Sequence, residues 1–132
     1  MSNVTVQPFL MFQGKAEEAI NFYIATIPGS KLDALEKWGA GGMGVPGTVQ
    51  RATFSLAGQH VVAFDSPPVH AFTFTPSISL YVKCDTADEV DRIFAALSQG
   101  GQVMMPVSEY PFSKRYGWTS DRFGVSWQIG LK

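Results

Sequence analysis

The chain has 132 residues, of which 45% are hydrophobic and 16% charged, enough apolar material for one domain with a core of its own. A formal net charge of -1 with acids and bases interspersed leaves no basic stripe for phosphate, and no run approaches the roughly 20 apolar residues that span a bilayer, so neither nucleic acid nor membrane is an expected partner. The first residues show no basic segment followed by an apolar one, and the lone Cys84 has no internal disulfide partner; both fit a cytoplasmic protein.

Residues 4–12 predict a strand, with Gln13-Gly14 as the turn into a helix. In that helix Ala16, Ala19, Ile20, Tyr23 and Ile27 recur at the spacing of one apolar face, and Pro28-Gly29 ends it. Residues 31–37 predict a less regular strand and 39–47 a glycine-rich loop. Within the loop, Gly39-Ala-Gly-Gly-Met-Gly44 matches the glycine fingerprint of dinucleotide sites. That mechanism needs a preceding strand and a helix amino terminus to receive the phosphates, whereas Val45-Pro46-Gly47 follows here, so the segment reads as a flexible loop. Residues 51–56 alternate, with Ala52, Phe54 and Leu56 on one side, and Gly58 turns them into 59–65 as a hairpin.

Residues 66–76 carry Pro67, Pro68 and Pro76 and read as a linker between two halves of one domain, each half too short for a good core alone. His70 lies there beside Phe72 and Phe74 as a surface or dimer-contact residue. The second half restarts with a strand over 77–82, where Ile78, Leu80 and Val82 alternate with Ser77, Ser79 and Tyr81. Thr86-Ala-Asp-Glu89 is a capping-box signature for a helix that buries Val90, Ile93, Phe94 and Leu97, and Gly100-Gly101 ends it. A helix amino terminus can activate a thiol, but Asp85 beside Cys84 opposes the thiolate, so Cys84 reads as inert. A short strand over 102–107 and a loop over 108–114 lead to a strand, a tight turn on 121–124 and a closing strand. There Val125, Trp127 and Ile129 face a core, and Ser126, Gln128 and Gly130 face away from it.

The halves share one order: strand, helix, then three strands. Ala16 matches Ala87, Glu18 matches Glu89 and Gly29 matches Gly100, each 71 positions apart, while the closing hairpins pair Gly58 with Gly124 and Val62 with Gln128 at 66 positions. This is an internal duplication. The fold class is α+β, two tandem βαβββ modules over about 4–66 and 77–131, each with its helix on one sheet face and the other face free to line a concavity.

Pro8-Phe-Leu-Met-Phe-Gln-Gly14, Glu18-Ala-Ile-Asn-Phe-Tyr23, Gly100-Gly-Gln-Val-Met-Met-Pro106 and Asp121-Arg-Phe-Gly-Val-Ser-Trp127 resemble the vicinal oxygen chelate superfamily, the glyoxalase, bleomycin-resistance and extradiol dioxygenase group. Within it the chain is similar to the PhnB-like branch, some of whose members carry the name 3-demethylubiquinone-9 3-methyltransferase. The resemblance implies a cupped mixed sheet and commonly a homodimer. In metal-dependent members of the superfamily, ligands sit on the concave sides of four strands. Carried over by position, they fall on Gln7, Ser77, Gln128 and near Val62. None is the His or carboxylate such sites use, so no cofactor is expected and a divalent metal is a minor alternative.

Strand parity places Gln7, Phe9, Met11, Ser77, Ser79, Tyr81, Tyr116, Trp118, Ser126 and Gln128 toward the concavity, joined by His60 and Val62. Aromatic walls with a few polar groups suit a small, partly apolar ligand, or else simply fill the scaffold. His60 is the side chain best suited to proton transfer, with Asp65 a second catalytic candidate; His60 reads equally as a plain hairpin residue. Lys114 and Arg115, in the predicted 108–114 loop and just after it, could pair with an anion beneath a lid, or be ordinary surface charges. The first functional expectation is therefore a metal-free binder of a small metabolite. The alternative is a vicinal-oxygen-chelate enzyme of lyase, dioxygenase or transferase type acting on a small hydrophobic or anionic substrate. Methyl transfer has no residue pattern behind it in this chain.

Overall fold

The computed structural model describes residues 3–132 and divides into two compact units, up to Phe72 and from Thr73 onward. The first contains β1 (Phe9–Phe12), α1 (Ala16–Thr26), β2 (Lys31–Lys37), β3 (Val49–Leu56) and β4 (Gln59–Asp65). Its sheet runs β1-β4-β3-β2, with β1 parallel to β4 and the other pairs antiparallel. The predicted helix face is the buried one: Ala16, Ala19, Ile20, Tyr23 and Ile27 lie in the core with Ala52, Phe54, Val61 and Ala63. Burying each larger side chain is worth about 1.5–3 kcal/mol.

Nothing local caps α1, because Lys15 supplies no side-chain acceptor. Asp65, at the end of β4, does so from a distance. Its Oδ1 accepts from the N–H of Gly14 at 2.7 Å and of Ala16 at 3.0 Å, and its Oδ2 accepts from Val49 N–H at 2.8 Å. One buried carboxylate thus ties a helix start to the first residue of β3.

The glycine-rich loop is packed against Trp38. Trp38 exchanges backbone bonds with Thr48 and Gly47, and its indole N–H donates to the carbonyl of Asp65 at 3.0 Å. A Cβ on Gly44 would sit 2.2 Å from the indole. The glycine there admits an aromatic ring, and the match to a dinucleotide fingerprint is coincidental. At the β3–β4 turn Ala57 and Gly58 both have positive φ, 49° and 93°, as a two-residue hairpin with right-twisted strands requires.

The second unit contains β5 (Leu80–Cys84), α2 (Ala87–Ser98), β6 (Gln102–Tyr110), β7 (Ser113–Ser120) and β8 (Ser126–Leu131). Its sheet runs β5-β8-β7-β6, again with the first and last strands parallel, so the duplicated order read from the sequence is a duplicated topology. Thr86 and Glu89 form the predicted capping box on α2. Val90, Ile93, Phe94 and Leu97 are buried on the sheet beside Trp127 and Ile129. Gly117 lets α2 approach, since a Cβ there would meet the Phe94 ring at 2.5 Å. Asp121 closes the β7–β8 turn by accepting from the backbone N–H of Phe123 and Val125 and from the indole of Trp127.

Three boundaries differ from expectation. β1 starts at Phe9, because Pro8 lacks a donor and only its carbonyl meets β4, through Val62 N–H. β5 starts at Leu80, because Ser77 turns back to bond Thr75. The predicted loop over 108–114 is instead a hairpin that turns on Pro111 and Phe112, with Tyr110 paired to Ser113. Register shifts absorb Pro106, and the rings of Tyr110, Phe112 and Tyr116 pack together across the turn. Among the described residues no helix is long and apolar enough to cross a membrane.

Candidate ligand-binding face

In the second unit α2 covers one sheet face, where Arg115, Gly117 and Thr119 meet Asp91, Phe94 and Ser98. Alternation therefore sends Tyr116, Trp118, Ser126, Gln128 and Tyr81 to the other face. These five expected residues are joined by bonds and ring contacts. The Tyr116 hydroxyl donates to Gln128 Oε1 at 2.5 Å. The Trp118 indole donates to Ser126 Oγ at 2.9 Å, and Ser126 Oγ is 2.7 Å from Ser79 Oγ. Tyr81 stands edge-on to Tyr116 with ring centroids 6.4 Å apart. Gly130 sits beneath them, and a Cβ there would press on the Tyr81 hydroxyl at 3.1 Å. Burial, followed by the neighbouring Tyr81 and Tyr110, raises the Tyr116 pKa, so its phenol stays protonated and remains a donor to Gln128. With Oε1 engaged as an acceptor, the Gln128 amide still has its two N–H donors.

At the edge of this face lies an open cavity of about 610 Å³, whose lining includes Tyr81, Lys83, Tyr110, Phe112, Lys114 and Lys132. Sequence reasoning named Tyr81 and Lys114 but missed Tyr110, Lys83 and Lys132, whose convergence depends on the hairpin. The available signal was the aromatic spacing of Tyr110, Phe112 and Tyr116 around a proline. Arg115, weighed with Lys114 as an anion partner, points the other way. Its guanidinium holds Asp91 bidentately at 2.7 and 2.9 Å, and that bond raises its pKa further. Cys84 is buried, and desolvation, then Glu89 and Asp85, push its thiol pKa up.

The first unit places Phe9, Met11, Val62 and Phe64 on the sheet face opposite α1, with Phe9 edge-on to Phe64 and Arg51 over its ring. Gln7 lies outside β1 and is exposed. His60 is exposed, its Nδ1 3.9 Å from Asp33 Oδ2. Asp65 faces the helix side with both carboxylate oxygens engaged by backbone N–H groups, which removes it from acid–base candidacy. His70 stacks on Phe72 at 4.7 Å.

With this architecture in place, residues 4–130 match the family model described as 3-demethylubiquinone-9 3-methyltransferase. The chain belongs to that family. The PhnB protein of Bacillus cereus, a solved structure, is 47% identical, with 98% of this chain and 100% of that one covered and a TM-score of 0.94. Protein YjdN of Escherichia coli (strain K12) is 26% identical over 140 residues, covering 96% of this chain and 94% of that protein. A glyoxylase/bleomycin resistance protein/dioxygenase domain from Frankia sp. EAN1pec, 15% identical, shares the fold with a TM-score of 0.67 and 99% and 98% coverage. The likeness to the PhnB protein supports the PhnB-like branch, and the Frankia domain shows a fold shared with the vicinal oxygen chelate superfamily that the sequence resembles.

The metal chemistry implied for that superfamily can be tested on the donors present. Gln7 is an exposed amide, Val62 is aliphatic, Ser77 is engaged with Thr75, and the Gln128 carbonyl oxygen is taken by Tyr116. Among the described residues no three His, Cys, Asp or Glu side chains gather. This donor set does not fit a first-row divalent ion, which binds through imidazole, thiolate or carboxylate.

Proposed function

We propose that this protein binds a small metabolite, without metal, on the sheet face that carries Tyr81, Tyr116, Trp118, Ser126 and Gln128. The observation that carries this reading is the Tyr116–Gln128 bond of 2.5 Å. It engages the oxygen that a metal would need and leaves the amide N–H groups available to a ligand acceptor. Aromatic walls bury the ligand's apolar part, and the buried Ser126 fixes the Trp118 ring and Ser79 in place. The homodimer implied by the resemblance remains part of this reading. Phe9, at 56% exposure, leaves aromatic surface that a second copy would cover.

The test is a metabolite screen by protein-detected NMR, with and without EDTA. Ligands are expected to shift Trp118 and Gln128 signals equally in both conditions, and Gln128→Leu is expected to weaken them about tenfold, the worth of one such bond. Binding that disappears in EDTA and returns with one divalent ion per chain would overturn the proposal. The second reading, an enzyme, is favoured by His60 beside Asp33. Under that reading His60→Ala abolishes turnover of a bound ligand, whereas unchanged turnover rejects it.

A further inference from the structure

Phe112 is 64% exposed at the tip of a two-residue turn, a place where polar residues are usual. It does not stand alone. Its ring stacks with Tyr110 at 5.7 Å and 11°, and Tyr116 meets both edge-on at 4.8 and 5.7 Å. These rings are locked by contact, and Tyr110 is further held by its hydroxyl donating to the Pro106 carbonyl at 2.7 Å. They border the cavity of about 610 Å³, a size typical of small-molecule sites.

The cavity's charge is lopsided. Lys83, Lys114 and Lys132 line it against Glu109 as the lining acid. Lys132 is already paired with Asp85 at 3.0 Å, and the Lys83 ammonium lies 5.5 Å from the Tyr81 ring centroid. Lys114 has no ion-pair partner among the described residues. Among the lining side chains, once Lys132 is matched with Asp85, Lys83 and Lys114 exceed Glu109 by a single positive charge. A preformed aromatic surface beside a one-charge excess matches a flat ring bearing one small anionic group.

We propose that the hairpin cavity binds aromatic monoanions, an aryl carboxylate or sulfonate. The ring lies on Phe112 and Tyr110, and the anion sits between Lys83 and Lys114. This rests on the proposed function, since Tyr81 joins the cavity to the same sheet face, and it names the ligand class that face would take.

The experiment titrates the full chain with benzoate, benzenesulfonate, cyclohexanecarboxylate and benzyl alcohol by ¹H–¹⁵N NMR. Benzoate and benzenesulfonate are expected to shift the amides of residues 81–83, 109–114 and 131–132. Benzyl alcohol is expected to do so at least tenfold more weakly, and cyclohexanecarboxylate to fall between. Added salt should weaken the anions alone. Lys114→Ala and Phe112→Ala, both at exposed positions and compatible with folding, should each cost about tenfold in affinity, while Arg115→Ala should change nothing. Equal binding of benzyl alcohol and benzoate, or no response at residues 109–114, overturns this inference. Shifts confined to Trp118, Ser126 and Gln128 overturn it while leaving the proposed function standing; anion binding that requires a divalent ion overturns the proposed function itself.

Discussion

Replacing Asp65 with Asn separates a structural carboxylate from a catalytic one. Asn keeps the shape and one acceptor oxygen, so the bonds from Gly14 and Ala16 can persist in weakened, uncharged form. The other oxygen becomes an NH₂ group facing the Val49 N–H, where a 2.8 Å bond stood. One charge-assisted bond is lost, at about 1.5–3 kcal/mol, and two buried donors are left facing each other. Loss of the negative charge at the start of α1 adds about 0.5 kcal/mol. The total is about 3 kcal/mol, and Asp65→Ala, which removes all three bonds, should cost more. Urea denaturation followed by tryptophan fluorescence provides the assay. With a slope of about 2 kcal/mol per molar urea, the midpoint should fall by about 1.5 M for Asp65→Asn. A midpoint within about 0.3 M of the parent would refute the assignment of Asp65 as the pin between α1 and β3.

Gly117→Ala forces a methyl against the Phe94 ring and should destabilise by about 1–3 kcal/mol. A double-mutant cycle with Phe94→Leu should then show coupling above about 1 kcal/mol, and simple additivity would contradict the close contact. For Tyr116 the folded protein holds the phenolic proton to higher pH than the unfolded chain. The associated stability is complete below the ordinary tyrosine pKa of 10.0 and is lost as pH rises through the raised folded value. Denaturation between pH 8 and 11 should show this decline, and Tyr116→Phe should flatten it while costing about 1 kcal/mol for the bond to Gln128. Ala57 sits at φ 49°, where a Cβ is strained, so Ala57→Gly should stabilise by about 0.5–1 kcal/mol in thermal melts, despite glycine's greater freedom when unfolded.

Much of the site was legible before folding because β-strand alternation is a local rule. Val125, Trp127 and Ile129 against Ser126 and Gln128 already separate two faces; the structure buries the first three and also Ser126, and leaves Gln128 half-buried. Trp118 and Tyr116 followed by the same parity. The structural role of Asp65 was not legible because its partners, Gly14, Ala16 and Val49, are 51, 49 and 16 positions away, and no spacing rule links a strand end to a distant helix start. Arg115 and Lys114 were interchangeable as neighbouring cations until the hairpin set them on opposite faces.

The sequence by itself determined the duplicated strand and helix order, both helix faces, the capping box on α2 and the polar-aromatic face of the closing strand. Each is written in periodicity or in contacts a few residues long. Only the tertiary structure decided that the glycine-rich loop closes over Trp38, that Asp65 pins α1, and that 108–114 is a hairpin whose aromatic tip meets Lys83 and Lys132. Those outcomes depend on which distant groups are brought within a few ångströms, and chain spacing alone carries no record of that.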